Sequence, residues 1–154
     1  KLEDEDALPT QLYLSTNAAD YQSFLKINRP RYDDSWERWN RTLKMLSTLG
    51  TRTVLRITLI RGYNDDEEMI PAFASLLQKS NVHFVEIKSY MHIGRSTNRL
   101  EHSDMLEMDE VRSFADKLVQ ENNAFTVMDE SEISRIVILQ NKKRFIDRFI
   151  PAYC

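Results

Sequence analysis

Cysteine is almost absent from this 154-residue chain, in which Cys154 is the only one. A single thiol excludes an internal disulfide and any cysteine-ligated metal cluster built from this chain alone. The sequence has no apolar run of transmembrane length and no secretory signal, so we predict a cytoplasmic protein that does not enter membranes. It also lacks the P-loop, GxGxxG, HExxH and CxxC motifs, so the common nucleotide and metal motifs do not indicate its function.

The chain has no excess of positive charge. With 21 basic and 24 acidic side chains its formal charge is -3, so contact with nucleic acid would have to come from local clusters of basic residues. Its length fits one domain with a sizeable core. The first residue is Lys1 rather than methionine, and we expect the chain to be a piece of a longer protein.

Strand and helix patterns alternate along the chain, which is typical of βαβ units with a parallel sheet. We predict strands at 11–17, 53–60, 83–89, 125–128 and 134–139, and helices at about 36–49, 65–79 and 109–122. Residues 18–32 are predicted to be a polar connection and residues 90–107 a long loop. The predicted organisation is a flexible lead-in at 1–9, an α/β domain at 10–140 and a tail at 141–154.

Polar side chains share one face on each of three predicted strands. They are Tyr13, Ser15 and Asn17 on the first, Arg56 and Thr58 on the second, and Glu86 and Lys88 on the third. Ordinary parallel strands are apolar on both faces because helices cover both. We therefore predict an α/β fold forming a partial (βα) TIM-type barrel with parallel strands. Its concave face would line a ligand cavity near the carboxyl ends of the strands, and it would comprise about half of an eight-unit barrel.

Glu86 and Lys88 have two interpretations, because they lie two residues apart on one face of a strand. They could neutralise each other in a polar interior. Alternatively, Lys88 could form a Schiff base with a carbonyl substrate, as in class I aldolases.

The loop after this third strand contains two arginines, Arg95 and Arg99. Guanidinium groups in such a loop suit phosphate or carboxylate oxygens, although a solvated surface loop is the alternative. His92 is a candidate substrate contact or a packing residue. His83 and His102 do not have the spacing of metal ligands, so we predict no metal site in this chain.

Five segments, in this order and spacing, resemble a known family: PTQLYLSTNA, NRPRYDDSWERW, TRTVLRITLIRGYN, HFVEIKSYMHIGRSTNRL and ESEISRIVIL. The family is the 4-demethylwyosine synthases of wybutosine synthesis, and the similarity is to the C-terminal half of their radical S-adenosylmethionine domain. It implies a partial barrel that works with S-adenosylmethionine and [4Fe-4S] clusters. The implied reaction condenses a two-carbon unit of pyruvate with N1-methylguanosine in phenylalanine tRNA, giving 4-demethylwyosine.

The resemblance also implies roles for individual residues. The cofactor-binding candidates are Ser15, Asn17, Arg56 and Thr58. The supporting catalytic candidates are Glu86 and Lys88, and the candidates for contact with tRNA or the pyruvate carboxylate are His92, Arg95 and Arg99.

One departure from the family pattern bears on activity. The family's cluster cysteines, including a CxxxCxxC triad, and its Schiff-base lysine belong to an N-terminal half that this chain does not contain. We therefore expect the chain to be inactive alone and to need that half and an electron donor; some relatives carry a separate flavodoxin-like domain with FMN. The alternatives are a non-catalytic tRNA-binding or assembly module, and an aldolase-like fragment that uses Lys88.

Overall fold

A five-stranded sheet and four helices make up the part of the chain that the computed structural model describes, residues 7–150. Most of the predicted lead-in at 1–9 and the last four residues of the predicted tail, including Cys154, lie outside these residues. The strands are β1 (Gln11–Thr16), β2 (Arg52–Leu59), β3 (Phe84–Ser89), β4 (Phe125–Ser131) and β5 (Ile136–Asn141). The helices are α1 (Tyr21–Asn28), α2 (Ser35–Met45), α3 (Ile70–Ser80) and α4 (Met108–Glu121).

The parallel arrangement predicted for the first three strands is confirmed. β1 pairs with β2 and β2 with β3, both in parallel, and the order across the sheet is β1-β2-β3-β5-β4. Strand β2 is rich in β-branched residues, which fit a pleated and buried surface. On the face opposite the polar one, Leu55, Ile57 and Leu59 are fully buried.

The prediction of an all-parallel sheet is wrong for the last two strands. β5 runs antiparallel to β3 and β4 runs antiparallel to β5. Only Glu132–Arg135 separates β4 from β5, and a parallel connection needs a dozen residues or more, so these strands form a hairpin. Arg135 provides its left-handed residue, with φ 49°.

The three predicted helices are confirmed as α2, α3 and α4, with ends displaced by up to about one turn. Their apolar side chains cover one face of the sheet and build the main core. Fully buried members include Leu43, Phe73, Leu77, Val111 and Leu118.

Helix α1 corrects the prediction of a polar connection over residues 18–32. The side chain of Asp20 accepts a hydrogen bond from the backbone N–H of Ser23 at 2.9 Å and so caps the helix. Phe24 and Ile27 are buried on its inner side. The Phe24 ring lies 5.1 Å from that of Trp36, which joins α1 to α2.

The sheet is open within residues 7–150, because β1 forms one edge and β4 the other. The structure thus shows a mixed α/β sheet of five strands that does not close into a barrel. None of the helices in these residues is both long and apolar enough to cross a membrane.

Candidate functional site

Polar residues from three strands meet in one row on the face of the sheet that the helices leave uncovered. Ser15 of β1 is opposite Arg56 of β2, and Arg56 is opposite Glu86 of β3. One step nearer the carboxyl ends, Thr58 is opposite Lys88. The shared polar face predicted from the sequence is therefore real, and the strand register brings its members side by side.

Glu86 is almost completely buried, with 8% of its side chain exposed, and it is paired with Arg56. The Arg56 Nε and one terminal nitrogen donate to the two carboxylate oxygens at 2.7 and 3.3 Å, which is a bidentate arrangement. The same guanidinium lies 4.7 Å from the ring centroid of Tyr13. Burial, and then the Glu86 carboxylate, raise the pKa of Tyr13, so its hydroxyl stays protonated at neutral pH.

The proposed neutralising pair of Glu86 with Lys88 is not what forms. Residues two apart along a strand are separated by about 6.6 Å, whereas directly opposite residues on neighbouring strands are about 5 Å apart. Arg56, the opposite residue, therefore takes the carboxylate. Lys88 is half-buried and has no ion-pair partner within residues 7–150.

A cavity of about 220 Å³ opens at the carboxyl ends of β1, β2 and β3. It contains three sequence-predicted site residues, Asn17, Thr58 and Arg99. Its remaining lining is largely apolar and aromatic, from Ile27, Ile60, Tyr63, Tyr90, Ser96 and Leu100. The side chains of Asn17 and Thr58 have no hydrogen-bond partner among residues 7–150, so both can bind a ligand.

Asn64, which is not among the site residues predicted from the sequence, fixes the wall of this cavity. The residue is fully buried, and its Oδ1 accepts from the backbone N–H of Ile60 at 2.7 Å. Its Nδ2 donates to the backbone carbonyls of Asn17 at 2.8 Å and Thr58 at 2.9 Å. One side chain thus ties together the ends of β1 and β2 that carry two candidate ligand groups.

The loop between β3 and α4 supplies the opposite wall. A nitrogen of the Arg99 guanidinium donates to the carbonyl of Ile27 at 3.0 Å, which joins this loop to the end of α1. The Tyr90 hydroxyl lies 3.2 Å from the Oγ of Ser96 and 3.2 Å from the Nδ1 of His92. His92 is therefore a neighbour of the cavity wall rather than part of its lining.

Arg95 stands apart from the cavity, exposed on a short 3-10 turn that starts at Gly94. Gly94 has φ 64°, a left-handed conformation that favours glycine. The far end of the loop is held by Arg61, which donates to the carbonyls of Ser103 and Met105 and to the Glu110 carboxylate. These contacts make the long loop a fixed part of the site.

Ser15 and Asn17 do not share one pocket, even though the sequence places both near the end of β1. Ser15 is exposed on the open sheet face, while Asn17 lines the cavity. The sequence reasoning also missed Tyr63 and Tyr90, the aromatic part of the lining. Their signal was present, since each follows a predicted strand directly or within a short turn, where ligand sites in parallel sheets lie.

Sequence comparisons point to one family. A family model described as wyosine base formation matches residues 79–141. The S-adenosyl-L-methionine-dependent tRNA 4-demethylwyosine synthase of Methanocaldococcus jannaschii is 45% identical, over 90% of this chain and 43% of the relative. The human enzyme of the same name, TYW1, is 33% identical over 87% of this chain and 18% of its own length.

Solved structures agree with the sequence comparisons. A structure of TYW1 with a lysine-pyruvate adduct bound is 41% identical and superposes with a TM-score of 0.80, covering 93% of this chain and 44% of that one. A crystal structure of archaeal TYW1 is 39% identical with a TM-score of 0.71, covering 94% of this chain. The chain spans less than half the length of these relatives.

Proposed function

Because this chain is homologous to the tRNA 4-demethylwyosine synthases over nine-tenths of its length, we propose that it forms part of such an enzyme. The proposed reaction condenses a two-carbon unit of pyruvate with N1-methylguanosine in phenylalanine tRNA. The observation that carries the proposal is the cavity at the strand ends, where Asn17, Thr58 and Arg99 converge. The similarity to a protein solved with a lysine-pyruvate adduct supports the choice of pyruvate.

The donor set of the cavity and the adjoining sheet face fits S-adenosylmethionine. An amide, hydroxyls and a guanidinium suit the hydroxyl, amino and carboxylate groups of such a cofactor, and the aromatic lining suits a purine ring. Asn17 and Thr58 would hold it from the cavity, and Ser15 and Arg56 from the sheet face. When bound beside a reduced iron-sulfur cluster, the cofactor supplies one-electron chemistry.

The residues of this chain would bind and orient rather than carry the covalent step. Arg99 presents a guanidinium at the cavity and suits the carboxylate of pyruvate or a tRNA phosphate, with Arg95 and His92 outside it toward the tRNA. Glu86 holds Arg56 in place through the bidentate pair, and Lys88 adds a positive charge to the same face. Both act as supporting residues in this proposal.

The rest of the enzyme would complete the site. The single cysteine of this chain cannot ligate a [4Fe-4S] cluster, so the cluster cysteines would come from segments outside it. We propose that those segments extend the sheet along the unpaired edge of β1 and turn it into a partial (βα) barrel. The whole enzyme would also need an electron donor, with FMN on a separate domain in some relatives, and would act with its tRNA in the cytoplasm.

The test is reconstitution with and without the missing segments. The whole protein, with its clusters rebuilt without oxygen, should convert methylated phenylalanine tRNA to the tricyclic nucleoside when given S-adenosylmethionine, pyruvate and a reductant. Mass spectrometry of the digested tRNA detects the product. The chain alone should give none, and absence of product from the whole protein would contradict the proposal.

Arg99 offers a sharper control within this experiment. Arg99→Gln removes the charge, and its shorter side chain also draws the remaining amide donor back from the Ile27 carbonyl. We expect product formation to fall at least tenfold, since a charge-assisted hydrogen bond is worth about 1.5–3 kcal/mol. Lys79→Gln, at the opposite end of the strands, should leave product formation unchanged.

A further inference from the structure

The connector between α1 and α2, residues 29–34, lies in a locally basic part of an acidic chain. Between Lys26 and Arg41 there are five basic and three acidic side chains, whereas the whole chain has 21 and 24. Asp34 and Arg38 neutralise each other at 2.7 Å, which leaves four basic and two acidic side chains in this segment. The surface around the connector is therefore a cationic cluster of the kind that attracts a polyanion.

Arg29 is held in a conformation that arginine disfavours. It ends α1 with φ 47°, in the left-handed region where glycine is the usual residue. Arg135 has a similar φ of 49°, but its guanidinium donates to the Leu106 carbonyl at 3.0 Å and pairs with Glu107 at 2.9 Å. Among residues 7–150 the exposed Arg29 side chain has no such contact, so the fold does not explain why arginine stands there.

Tyr32 is an exposed aromatic ring close to two guanidinium groups. Tyr32 is 57% exposed, and the guanidinium carbons of Arg31 and Arg38 each lie 5.7 Å from its ring centroid. An aromatic face available to solvent is the platform on which unpaired bases stack, and neighbouring guanidinium groups reach the phosphates of the same strand. This pairing favours single-stranded RNA over a protein partner.

The connector adjoins the cavity. Ile27, two residues before Arg29, lines it, and its carbonyl accepts from Arg99. The Lys26 ammonium lies 4.9 Å from the ring centroid of Tyr63, another lining residue. If an RNA strand placed one nucleotide at the cavity, its neighbouring nucleotides would therefore lie against the connector.

We infer that the α1–α2 connector is a contact surface for the unpaired tRNA nucleotides that flank the one being modified. Tyr32 stacks on a base, and Arg29 and Arg31 contact phosphates. This inference rests on the proposed function, because it assigns the tRNA a path across the same site.

The experiment measures binding of the tRNA substrate by the whole protein, by fluorescence anisotropy at several salt concentrations. Tyr32→Ala should weaken binding about tenfold, since stacking on an aromatic is worth about 1–3 kcal/mol per base. Arg29→Gly should weaken it several-fold and reduce the slope of log affinity against log salt by about 0.7–1. The matched control is Lys79→Gln, which removes one exposed charge at the far end of α3 and should bind like the wild type.

Arg29→Gly also separates an RNA contact from a structural role. Glycine is favoured at this φ, so the melting temperature should be unchanged or higher while tRNA binding falls. Wild-type affinity and salt slope in both Arg29→Gly and Tyr32→Ala would overturn the inference and leave the proposed function standing. A wild-type protein that neither binds nor modifies the tRNA would overturn both.

Discussion

His83 should make the stability of this protein fall as the pH is lowered below neutrality. The residue lies just before β3 and is buried, with 7% of its surface exposed. Its Nδ1 accepts a hydrogen bond from the backbone N–H of Thr53 at 3.1 Å, which requires an unprotonated nitrogen. Burial, and then the nearby Arg144 and Arg52 guanidinium groups, lower the pKa of His83 to about 4.

The size of the effect follows from linkage. The pKa of a histidine in an unfolded chain is about 6.5, so between pH 6.5 and 4 the unfolded state binds a proton that the folded state excludes. The stability that His83 contributes is thus fully present above pH 7 and is lost as the pH falls through this window. Between pH 7.5 and 5.0 the loss is about 2 kcal/mol, while carboxylates in the same interval contribute a few tenths each.

Urea denaturation followed by tryptophan fluorescence measures this loss. His83→Asn is the informative variant, because its Oδ1 can accept from the Thr53 N–H but cannot become charged. The free energy of unfolding of the variant should change by less than 1 kcal/mol over the same interval. Parallel curves of stability against pH for the wild type and the variant would refute the reasoning.

Three further perturbations test the site and the sheet edge. Arg56→Met should destabilise the protein by about 2 kcal/mol in urea denaturation, against about 1 for Glu86→Gln, because only Arg56→Met leaves a buried carboxylate without its partner. Equal losses would contradict this account of the pair. Asn64→Ala should cost about 2–3 kcal/mol. Asn64→Asp should cost at least as much, since aspartate keeps the acceptor for the Ile60 N–H but turns a buried carboxylate oxygen toward the carbonyls of Asn17 and Thr58. An alanine variant as stable as the wild type would argue against this role. The isolated chain should be marginally stable or dimeric, because the edge of β1 has no partner within residues 7–150; a sharp melting transition at monomer size in sedimentation would count against it.

The polar face could be predicted from the sequence because strand geometry is simple. Alternate residues point to the same side, so Arg56 and Thr58 had to share a face, as did Glu86 and Lys88. Which of these residues touch depends on the register between strands, and local pattern does not specify register. In the observed register Arg56 lies directly opposite Glu86, and it is therefore the partner of that carboxylate.

Both errors in the predicted fold concern short elements. Helix α1 has only eight residues, too few for a helical period to stand out, although Asp20 three residues before Ser23 is a capping signal. The β4–β5 hairpin is missed because the prediction extends the parallel strand-helix alternation to the last two strands. The five residues between the two predicted strands were already too few for a parallel crossover.

The cavity could be foreseen only in part, because its members come from separated segments whose approach depends on tertiary contacts. Asn17 and Thr58 follow from their places at strand ends, where parallel sheets bind ligands. The approach of Arg99 to Ile27 depends on how α1 crosses the strand ends, and α1 itself was not predicted. The contact of Arg99 with the end of α1 is therefore visible only in the fold.

The exposed polar face and the unpaired edge of β1 together constrain how the proposed enzyme is completed. Parallel sheets are normally covered on both faces, yet here helices cover only the face that carries Leu55 and Ile57. A segment that paired with β1 and continued to curve would cover the uncovered face and bring its own strand ends beside Asn17. In the proposed enzyme that segment carries the cluster cysteines, so one addition to the sheet would both cover the partly exposed Arg56 guanidinium and place a cluster next to the candidate cofactor residues.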